Sequence, residues 1–142
     1  MLVRMRRRTF VSLTVHATCV GSLAACGDPG GPGGLDEDVV VDIADHDGLD
    51  RVGGWVRLPS DDTGYSEAIF LERIADDEFI ALSAYCNHQG CNVERDGTAY
   101  ACPCHGSRFA ANGDLRSGPA SADLRRFETD FDADAGTVTL LA

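Results

Sequence analysis

The chain has 142 residues, which is room for one domain of ordinary size. It carries 12 arginines, no lysine and 23 carboxylates, for a formal net charge of −11, and four of the arginines lie within the first eight residues. This acidity excludes nucleic acid as a partner, because phosphates require a basic face, and it favours a basic macromolecular partner. Adaptation to high salt would explain the same acidity.

Residues 1–25 are predicted to be an export signal that is removed. A basic region at residues 6–8 precedes an apolar stretch at residues 10–25, which is short for a spanning helix of about 20 residues. The sequence Arg-Arg-Thr-Phe-Val at residues 7–11 resembles a twin-arginine export signal. The sequence Leu-Ala-Ala-Cys that ends at Cys26 resembles a lipoprotein processing box, so we expect Cys26 to be the lipidated first residue of the mature chain. An uncleaved anchor helix and a plain signal peptide are the alternatives.

Residues 26–38 are predicted to form a linker, because residues 27–34 consist of Gly and Pro apart from Asp28 and offer nothing to bury. Such a segment would keep the following domain close to the membrane and leave it free to swing. We therefore expect a lipid-anchored domain at the outer face of the cytoplasmic membrane or in the periplasm.

Short β-branched or alternating stretches, separated by Gly and Asp, continue from residue 39 to the C-terminus. They predict an all-β domain at residues 39–142 with stacked antiparallel sheets. Helical periodicity of useful length is missing from the sequence. Trp55 is expected in the core. The predicted strands cover residues 39–43, 54–58, 68–74, 79–84, 91–94, 98–101, 124–131 and 137–141.

The chemistry of the chain is concentrated in two short loops. Residues 86–91 read Cys-Asn-His-Gln-Gly-Cys, and residues 102–107 read Cys-Pro-Cys-His-Gly-Ser. An iron pair bridged by two sulfides takes four protein ligands, and a Cys and a His from each loop would supply them. Neutral imidazoles in place of two thiolates make such a cluster less negative and easier to reduce.

Two other chemistries suit the same residues. Four thiols in an exported chain can form a disulfide framework, a metal site, or one of each. Two Cys and two His can hold a tetrahedral zinc ion, although structural zinc prefers Cys-x-x-Cys paired with a spaced His pair. Two disulfides would leave both histidines without a role. Either alternative would make the chain a non-redox binding module.

The motifs Cys-x-His-x-Gly-Cys and Cys-Pro-Cys-His-Gly-Ser resemble those of the Rieske [2Fe-2S] family in its disulfide-bearing, high-potential form. The resemblance implies a Rieske-type fold in which the two loops form a small cluster-binding subdomain. It also implies one [2Fe-2S] cluster per chain, with the cysteines on the inner iron and the histidines on an outer iron near the surface. The implied ligands are Cys86, His88, Cys102 and His105. The remaining pair, Cys91 and Cys104, would form a disulfide that joins the two loops.

By the same resemblance, four further residues tune the cluster. Ser107 matches a hydroxyl that donates to a bridging sulfide and raises the reduction potential. Phe109 occupies a position where high-potential members often carry Tyr, so one donor is missing and the potential is expected to fall by on the order of 50 mV. Gly118 and Pro119 match a proline-containing loop that covers the cluster from a third side. The family often continues with a second Pro where this chain has Ser121, which predicts a looser cover.

A cluster whose four ligand positions are filled by protein has no open site for substrate, so the resemblance implies transfer of single electrons by a carrier or subunit. The expected donor is a quinol, a cytochrome b or an exported oxidoreductase, and the expected acceptor is a c-type cytochrome or a similar high-potential protein. The chain would then be a free carrier, the iron–sulfur subunit of a cytochrome bc-type quinol-oxidising complex, or the small subunit of an exported molybdenum oxidoreductase.

Overall fold

The computed structural model describes residues 33–142. The predictions for the export signal, for lipidation of Cys26 and for most of the linker lie outside these residues. Within residues 33–142, none of the helices has the length and apolar character needed to cross a membrane.

Antiparallel strands form three sheets in the described part of the chain. The terminal sheet consists, in spatial order, of β1 (Val39–Asp42), β11 (Thr137–Leu140) and β10 (Thr129–Asp132). The central sheet consists of β2 (Trp55–Leu58), β3 (Ile69–Arg73), β4 (Phe79–Ser83) and β9 (Arg126–Phe127). The loop sheet consists of β5 (Glu94–Asp96), β6 (Ala99–Ala101), β7 (Arg108–Phe109) and β8 (Leu115–Ser117). The predicted all-β class with antiparallel sheets is confirmed.

Helical structure within residues 33–142 is limited to two single turns. A 3-10 turn covers Ile43–Asp45, and the α-helical turn α1 covers Ser60–Thr63. The chain ends α1 at Gly64, which has a φ of 67° in the left-handed region that glycine adopts readily.

The central sheet is buried on both faces, because successive side chains of a strand point to opposite sides. Ile69, Leu71 and Ala81 pack toward the terminal sheet, whereas Phe70 and Leu82 pack toward the loop sheet. A strand that is buried on both sides needs a continuous apolar sequence, which explains the apolar run through β4. The three sheets therefore lie in a stack with the central sheet in the middle.

The strand predicted at residues 124–131 is two strands in different sheets. Phe127 in β9 pairs with Ala81 of the central sheet, whereas β10 pairs with the terminal sheet. Leu124 belongs to neither strand, since its amide donates to the carbonyl of Gly113 at 2.9 Å. The continuous-strand prediction was wrong because the chain passes from one sheet to the next at Glu128.

Trp55, which was predicted to lie in the core, is 40% exposed, and that prediction was wrong. The residue lies in β2 at the edge of the central sheet, on the same side as the exposed Arg57. Its ring still contacts Phe70, with the ring centroids 5.9 Å apart, and the guanidinium of Arg95 lies 5.0 Å above it. Trp55 therefore shields the guanidinium of Arg95 from solvent instead of filling the interior.

Candidate metal centre

The first motif loop, residues 86–91, begins three residues after the end of β4 and turns back on itself. The amide of Cys86 donates to the carbonyl of Cys91 at 2.9 Å, and the amide of Gly90 donates to the carbonyl of Cys86 at 3.0 Å. Gly90 has a φ of 76°, which a residue with a side chain rarely adopts. The glycine therefore permits the return of the chain.

The second motif loop, residues 102–107, closes with the same pattern. The amide of Cys102 donates to the carbonyl of Ser107 at 2.7 Å, and the amide of Gly106 donates to the carbonyl of Cys102 at 2.9 Å. Gly106 also has a φ of 76°. The two loops therefore have the same backbone hydrogen bonds. In each loop the amide of the first cysteine donates to the carbonyl five residues later, and the amide of the glycine four residues later donates to the carbonyl of that cysteine.

The two leading cysteines are free thiols inside the protein. Cys86 and Cys102 are 0% and 2% exposed, and both belong to the buried cluster between the central and loop sheets. Burial raises the pKa of the Cys86 thiol, a hydrogen bond with the His88 backbone opposes this rise, and the hydrogen-bonded neighbouring thiol of Cys102 reinforces it. Two buried thiols in contact favour a cation that would replace their protons.

The two histidines of the motifs pack against each other. The imidazole centroids of His88 and His105 lie 4.7 Å apart in an edge-to-face arrangement. Nδ1 of His88 is buried and has no hydrogen-bond partner among residues 33–142. Because buried polar atoms nearly always have a partner, this nitrogen is suited to bind a metal ion.

A disulfide between Cys91 and Cys104 joins the two loops, with the Cα atoms 6.5 Å apart. This is the pairing that the resemblance implied. The sulfur of Cys102 lies within 4.8 Å of both disulfide sulfurs. That group of three sulfurs is not a ligand set, because the bonded pair has no thiolate to offer. The disulfide instead fixes the distance between the loops that carry the free thiols.

A third loop, residues 118–122, packs onto the second motif loop. The fully buried hydroxyl of Ser107 accepts a hydrogen bond from the amide of Ala120 at 3.0 Å. Gly118 has a φ of 103°, and a Cβ there would lie 2.4 Å from the Cα of Ser107. Only glycine fits this approach. Pro119 is exposed at the tip of the loop.

Phe109 is 1% exposed and lies opposite Tyr100 in the loop sheet. It belongs to the same buried cluster as Cys86 and Cys102. The four residues that were predicted to tune the centre therefore comprise two buried side chains, Ser107 and Phe109, and two residues of the third loop.

Sequence reasoning missed Asn87, which lies between two predicted ligands. Its Oδ1 accepts a hydrogen bond from the amide of Ser121 at 3.0 Å, and its Nδ2 donates to the carbonyl of Ala122 at 3.1 Å. Both partners are more than 30 residues away in sequence, so nothing local in the first motif reveals them. The one signal in the sequence was the presence of Ser121 where the family often has proline. A serine keeps a backbone amide that can donate a hydrogen bond, and a proline has none.

A buried ion pair connects the loop sheet to the central sheet. Nη2 of Arg95 in β5 donates to Oε1 of Glu72 in β3 at 3.0 Å, and Nη1 donates to the Tyr100 hydroxyl at 3.1 Å. The hydrogen bonds with Glu72 raise the pKa of Arg95 against the opposing effect of burial. Sequence reasoning missed this pair as well, because the two residues lie in different sheets.

Comparison with known proteins gives a consistent picture. Residues 53–128, more than half of the chain, match the Rieske [2Fe-2S] domain. The chain is 39% identical over 67 residues to the mitochondrial Rieske subunit of the cytochrome b-c1 complex from Bos taurus, a match that covers 45% of this chain and 24% of that protein. It is 45% identical over 56 residues to the cytochrome b6-f complex iron-sulfur subunit of Prochlorococcus marinus (strain MIT 9515), covering 38% of this chain and 32% of that protein.

The chain thus spans between about a quarter and a third of the length of these relatives. Among solved structures, the cyanobacterial plasma membrane Rieske protein PetC3 from Synechocystis PCC 6803 matches with a TM-score of 0.49 and 24% identity. That match covers 62% of this chain and 85% of the other.

Proposed function

The chain belongs to the Rieske [2Fe-2S] domain family and binds one [2Fe-2S] cluster, and we propose that it carries single electrons as an exported protein tethered to the membrane. The observation that carries this proposal is a pair of buried free thiols in two disulfide-linked loops that also present two packed imidazoles. The donor set suits the family cofactor, since the buried Nδ1 of His88 has no hydrogen-bond partner in the described part of the chain. The proposed ligands are Cys86, His88, Cys102 and His105.

The burial of these four residues supports a division of labour between them. Cys86 and Cys102 are buried and would hold the inner iron, whereas His88 is partly buried and His105 is exposed, as expected for residues on an outer iron. When bound, the cluster supplies a one-electron redox couple. The exposed imidazole of His105 would bring this redox centre to the protein surface, while the burial of Cys86 and Cys102 would exclude water from the thiolates.

The distribution of charge along the chain also supports docking of a partner at the end of the domain that carries the two imidazoles. Residues 84–126, which build both motif loops and the loop sheet, contain five arginines and four carboxylates. The rest of the described chain contains three arginines and 18 carboxylates. The segment that carries the imidazoles is therefore almost neutral overall, whereas the acidic remainder repels anionic surfaces. We propose that the imidazole end approaches the partner and the acidic remainder faces solvent.

The proposed donor is a quinol, a cytochrome b or an exported oxidoreductase, and the proposed acceptor is a c-type cytochrome or a similar high-potential protein. A second candidate function, the iron–sulfur subunit of a cytochrome bc-type complex, is favoured by the names of the relatives, which are subunits of cytochrome b-c1 and b6-f complexes.

We also propose the membrane anchor on sequence grounds. Residues 1–25 would be the removed export signal, Cys26 the lipidated residue, residues 26–38 the linker and residues 39–142 the domain. Leu35 is buried in the core, and the Asp38 carboxylate accepts a hydrogen bond from the amide of Ala142 at 2.9 Å. These contacts support a domain whose packed part begins at Leu35, and we propose that the anchor holds it at the outer face of the cytoplasmic membrane or in the periplasm.

The first test is anaerobic purification of the full chain, followed by metal analysis and low-temperature electron paramagnetic resonance. We expect two iron atoms per chain and the spectrum of a reduced [2Fe-2S] cluster with mixed Cys and His ligands. His88→Ala and His105→Ala should lose this spectrum. The control is Gln89→Ala, a change at the exposed residue next to His88 that is not a proposed ligand, and this variant should retain the spectrum. Stoichiometric zinc in place of iron would contradict the proposal.

The anchor and the partners need separate measurements. Cys26→Ser should move the protein from the membrane fraction to the soluble fraction, with no change in the iron content of the purified chain. Rapid mixing of the reduced protein with a c-type cytochrome should show electron transfer, and a quinol should reduce the oxidised protein. Transfer to the cytochrome without reduction by quinol would point to an exported oxidoreductase, such as a molybdenum enzyme, as the donor.

A further inference from the structure

The carboxamide of Asn87 bridges the first motif loop and the third loop with two hydrogen bonds. Oδ1 can only accept and Nδ2 can only donate, and the partners here are an amide, that of Ser121, and a carbonyl, that of Ala122. The chemistry of the partners thus fixes the orientation of the carboxamide. Aspartate or alanine at position 87 would lose one bond or both.

The third loop has few other contacts that hold it in place. Gly118, Pro119, Ser121 and Ala122 are exposed, and Ala120 is the one buried side chain among residues 118–122. Its backbone is held at adjacent positions, by Ser107 at Ala120 and by Asn87 at the next two residues. The loop is therefore attached to both motif loops by polar bonds, with Ala120 as its one side chain in the buried apolar cluster.

Ser121 takes part through its backbone and not through its hydroxyl. The bond to Asn87 requires the amide hydrogen, which proline does not have. The sequence-based prediction of a looser cover, made because Ser replaces Pro here, considered only the loss of ring stiffness. The structure shows a compensating hydrogen bond that a proline would prevent.

We propose that Asn87 is a positioning residue, which together with the Ser121 amide forms a polar lock. The lock holds the third loop against the two motif loops and limits the access of water to the buried Ser107 hydroxyl beneath the loop. This inference rests on the proposed ligand set for the effect on the cluster, while the lock itself is a property of the polypeptide. The two parts are tested by different readouts.

The first readout is hydrogen exchange of the Ser121 amide in the full-length protein. Asn87→Ala should raise its exchange rate about five- to tenfold, which corresponds to the loss of one hydrogen bond of about 1 kcal/mol. Asn87→Asp keeps the acceptor and should preserve protection at Ser121 while exposing the loop at Ala122. Ser121→Ala keeps the amide and should match the wild type. Unchanged exchange in Asn87→Ala would overturn the proposal.

The second readout is the reduction potential, which a purely structural role elsewhere would not move. Looser attachment admits water, and water stabilises the more negatively charged reduced state, so the potential should rise. We expect the rise in Asn87→Ala and in Ser121→Pro but not in Ser121→Ala. Because Ser121→Pro removes one of the two bonds that Asn87→Ala removes, the double variant Asn87→Ala/Ser121→Pro should show no further rise beyond the larger single effect.

These outcomes separate the lock from the proposed function. A protein that holds zinc would refute the electron-carrier proposal, while exchange at Ser121 would still decide the lock. Additive shifts in the double variant, or a shift in Ser121→Ala equal to that in Ser121→Pro, would refute the lock in a protein that holds its cluster. If Ser121→Pro does not accumulate, Asn87→Ala with Ser121→Ala as its control decides the question alone.

Discussion

The guanidinium of Arg95 lies against the carboxylate of Glu72 across the boundary between the loop sheet and the central sheet, with side chains only 9% and 10% exposed. The same guanidinium stacks on the rings of Trp55 and Tyr100, at 5.0 Å and 5.4 Å from their centroids. Arg95 also donates through Nε to the carbonyl of Gly97 in the exposed turn between β5 and β6, at 3.1 Å. This pair couples the sheet that supports the motif loops to the sheet beneath it.

Removal of one member of this pair should destabilise the protein strongly. Arg95→Met leaves the Glu72 carboxylate buried without a cation, which costs about 3–5 kcal/mol in comparable pairs. The double variant Arg95→Met/Glu72→Met leaves no unpaired charge and should recover most of that loss. Chemical denaturation of the variants gives the free energy of unfolding directly.

The exposed ion pair between Arg108 and Asp96 provides the control. Its atoms lie 2.9 Å apart, but the side chains are 64% and 59% exposed, so water already solvates both charges. Arg108→Met should change the free energy of unfolding by at most about 1 kcal/mol. Equal losses in Arg95→Met and Arg108→Met would show that the buried pair has no special role.

The close approach of Gly118 to Ser107 leads to a second prediction. Gly118→Ala adds a Cβ that would lie 2.4 Å from the Cα of Ser107, at a φ of 103°, so the third loop must move. We expect a loss of roughly 1–3 kcal/mol in the free energy of unfolding and greater exposure of the buried Ser107 hydroxyl. Thermal unfolding and hydrogen exchange at Ala120 measure the two effects.

Gly97→Ala separates crowding from backbone strain. Gly97 also has a positive φ, of 65°, but a Cβ there would meet nothing within 4 Å. This variant should lose about 1 kcal/mol through strain alone and should leave exchange at Ala120 unchanged. If both variants behaved alike, the contact with Ser107 would have no measurable effect.

The motif loops could be predicted from the sequence because the information is local. Each loop carries its cysteine, its histidine and its turn-forming glycine within six residues, and the apolar run of β4 indicates a strand buried on both faces. The attachment of the third loop depends instead on Asn87 and Ser121, which are 34 residues apart. Spacing within one segment cannot reveal such a contact.

Trp55 illustrates the same limit in the opposite direction. A lone tryptophan in an alternating strand is most simply placed in the core, but β2 is an edge strand and Arg95 arrives from another sheet. The strand order decides which face is covered, and strand order is a long-range property. The division of residues 124–131 into two strands has the same origin, because the partners of each part lie in different sheets.

Because Phe109 has no hydroxyl, the substitution Phe109→Tyr is expected to change the reduction potential in a defined direction. Phe109→Tyr would introduce a donor into the buried cluster that contains both free thiols. We expect this donor to stabilise the reduced state and to raise the potential by on the order of 50 mV, as the resemblance implies. Phe109→Leu, which adds no donor, should leave the potential within a few millivolts of the wild type. Redox titration of the three proteins under the same conditions makes the comparison, and a fall in Phe109→Tyr would refute this account.

Cys102 lies beside the disulfide, and we therefore expect single and double variants of the disulfide cysteines to differ in the iron that they retain in air. Cys104→Ser frees the thiol of Cys91, whose sulfur lies within 4.8 Å of that of Cys102. Oxidation by dissolved oxygen would then join Cys91 to Cys102, with loss of two protons and two electrons, and remove a proposed ligand. Cys91→Ser/Cys104→Ser cannot form this bond. It should lose about 3 kcal/mol of stability, as expected for a cross-link across 13 residues, yet retain more iron than the single variant when both are purified in air. Peptide mass spectrometry identifies the new disulfide, and equal iron contents in the two variants would show that the neighbouring sulfur does not compete for Cys102.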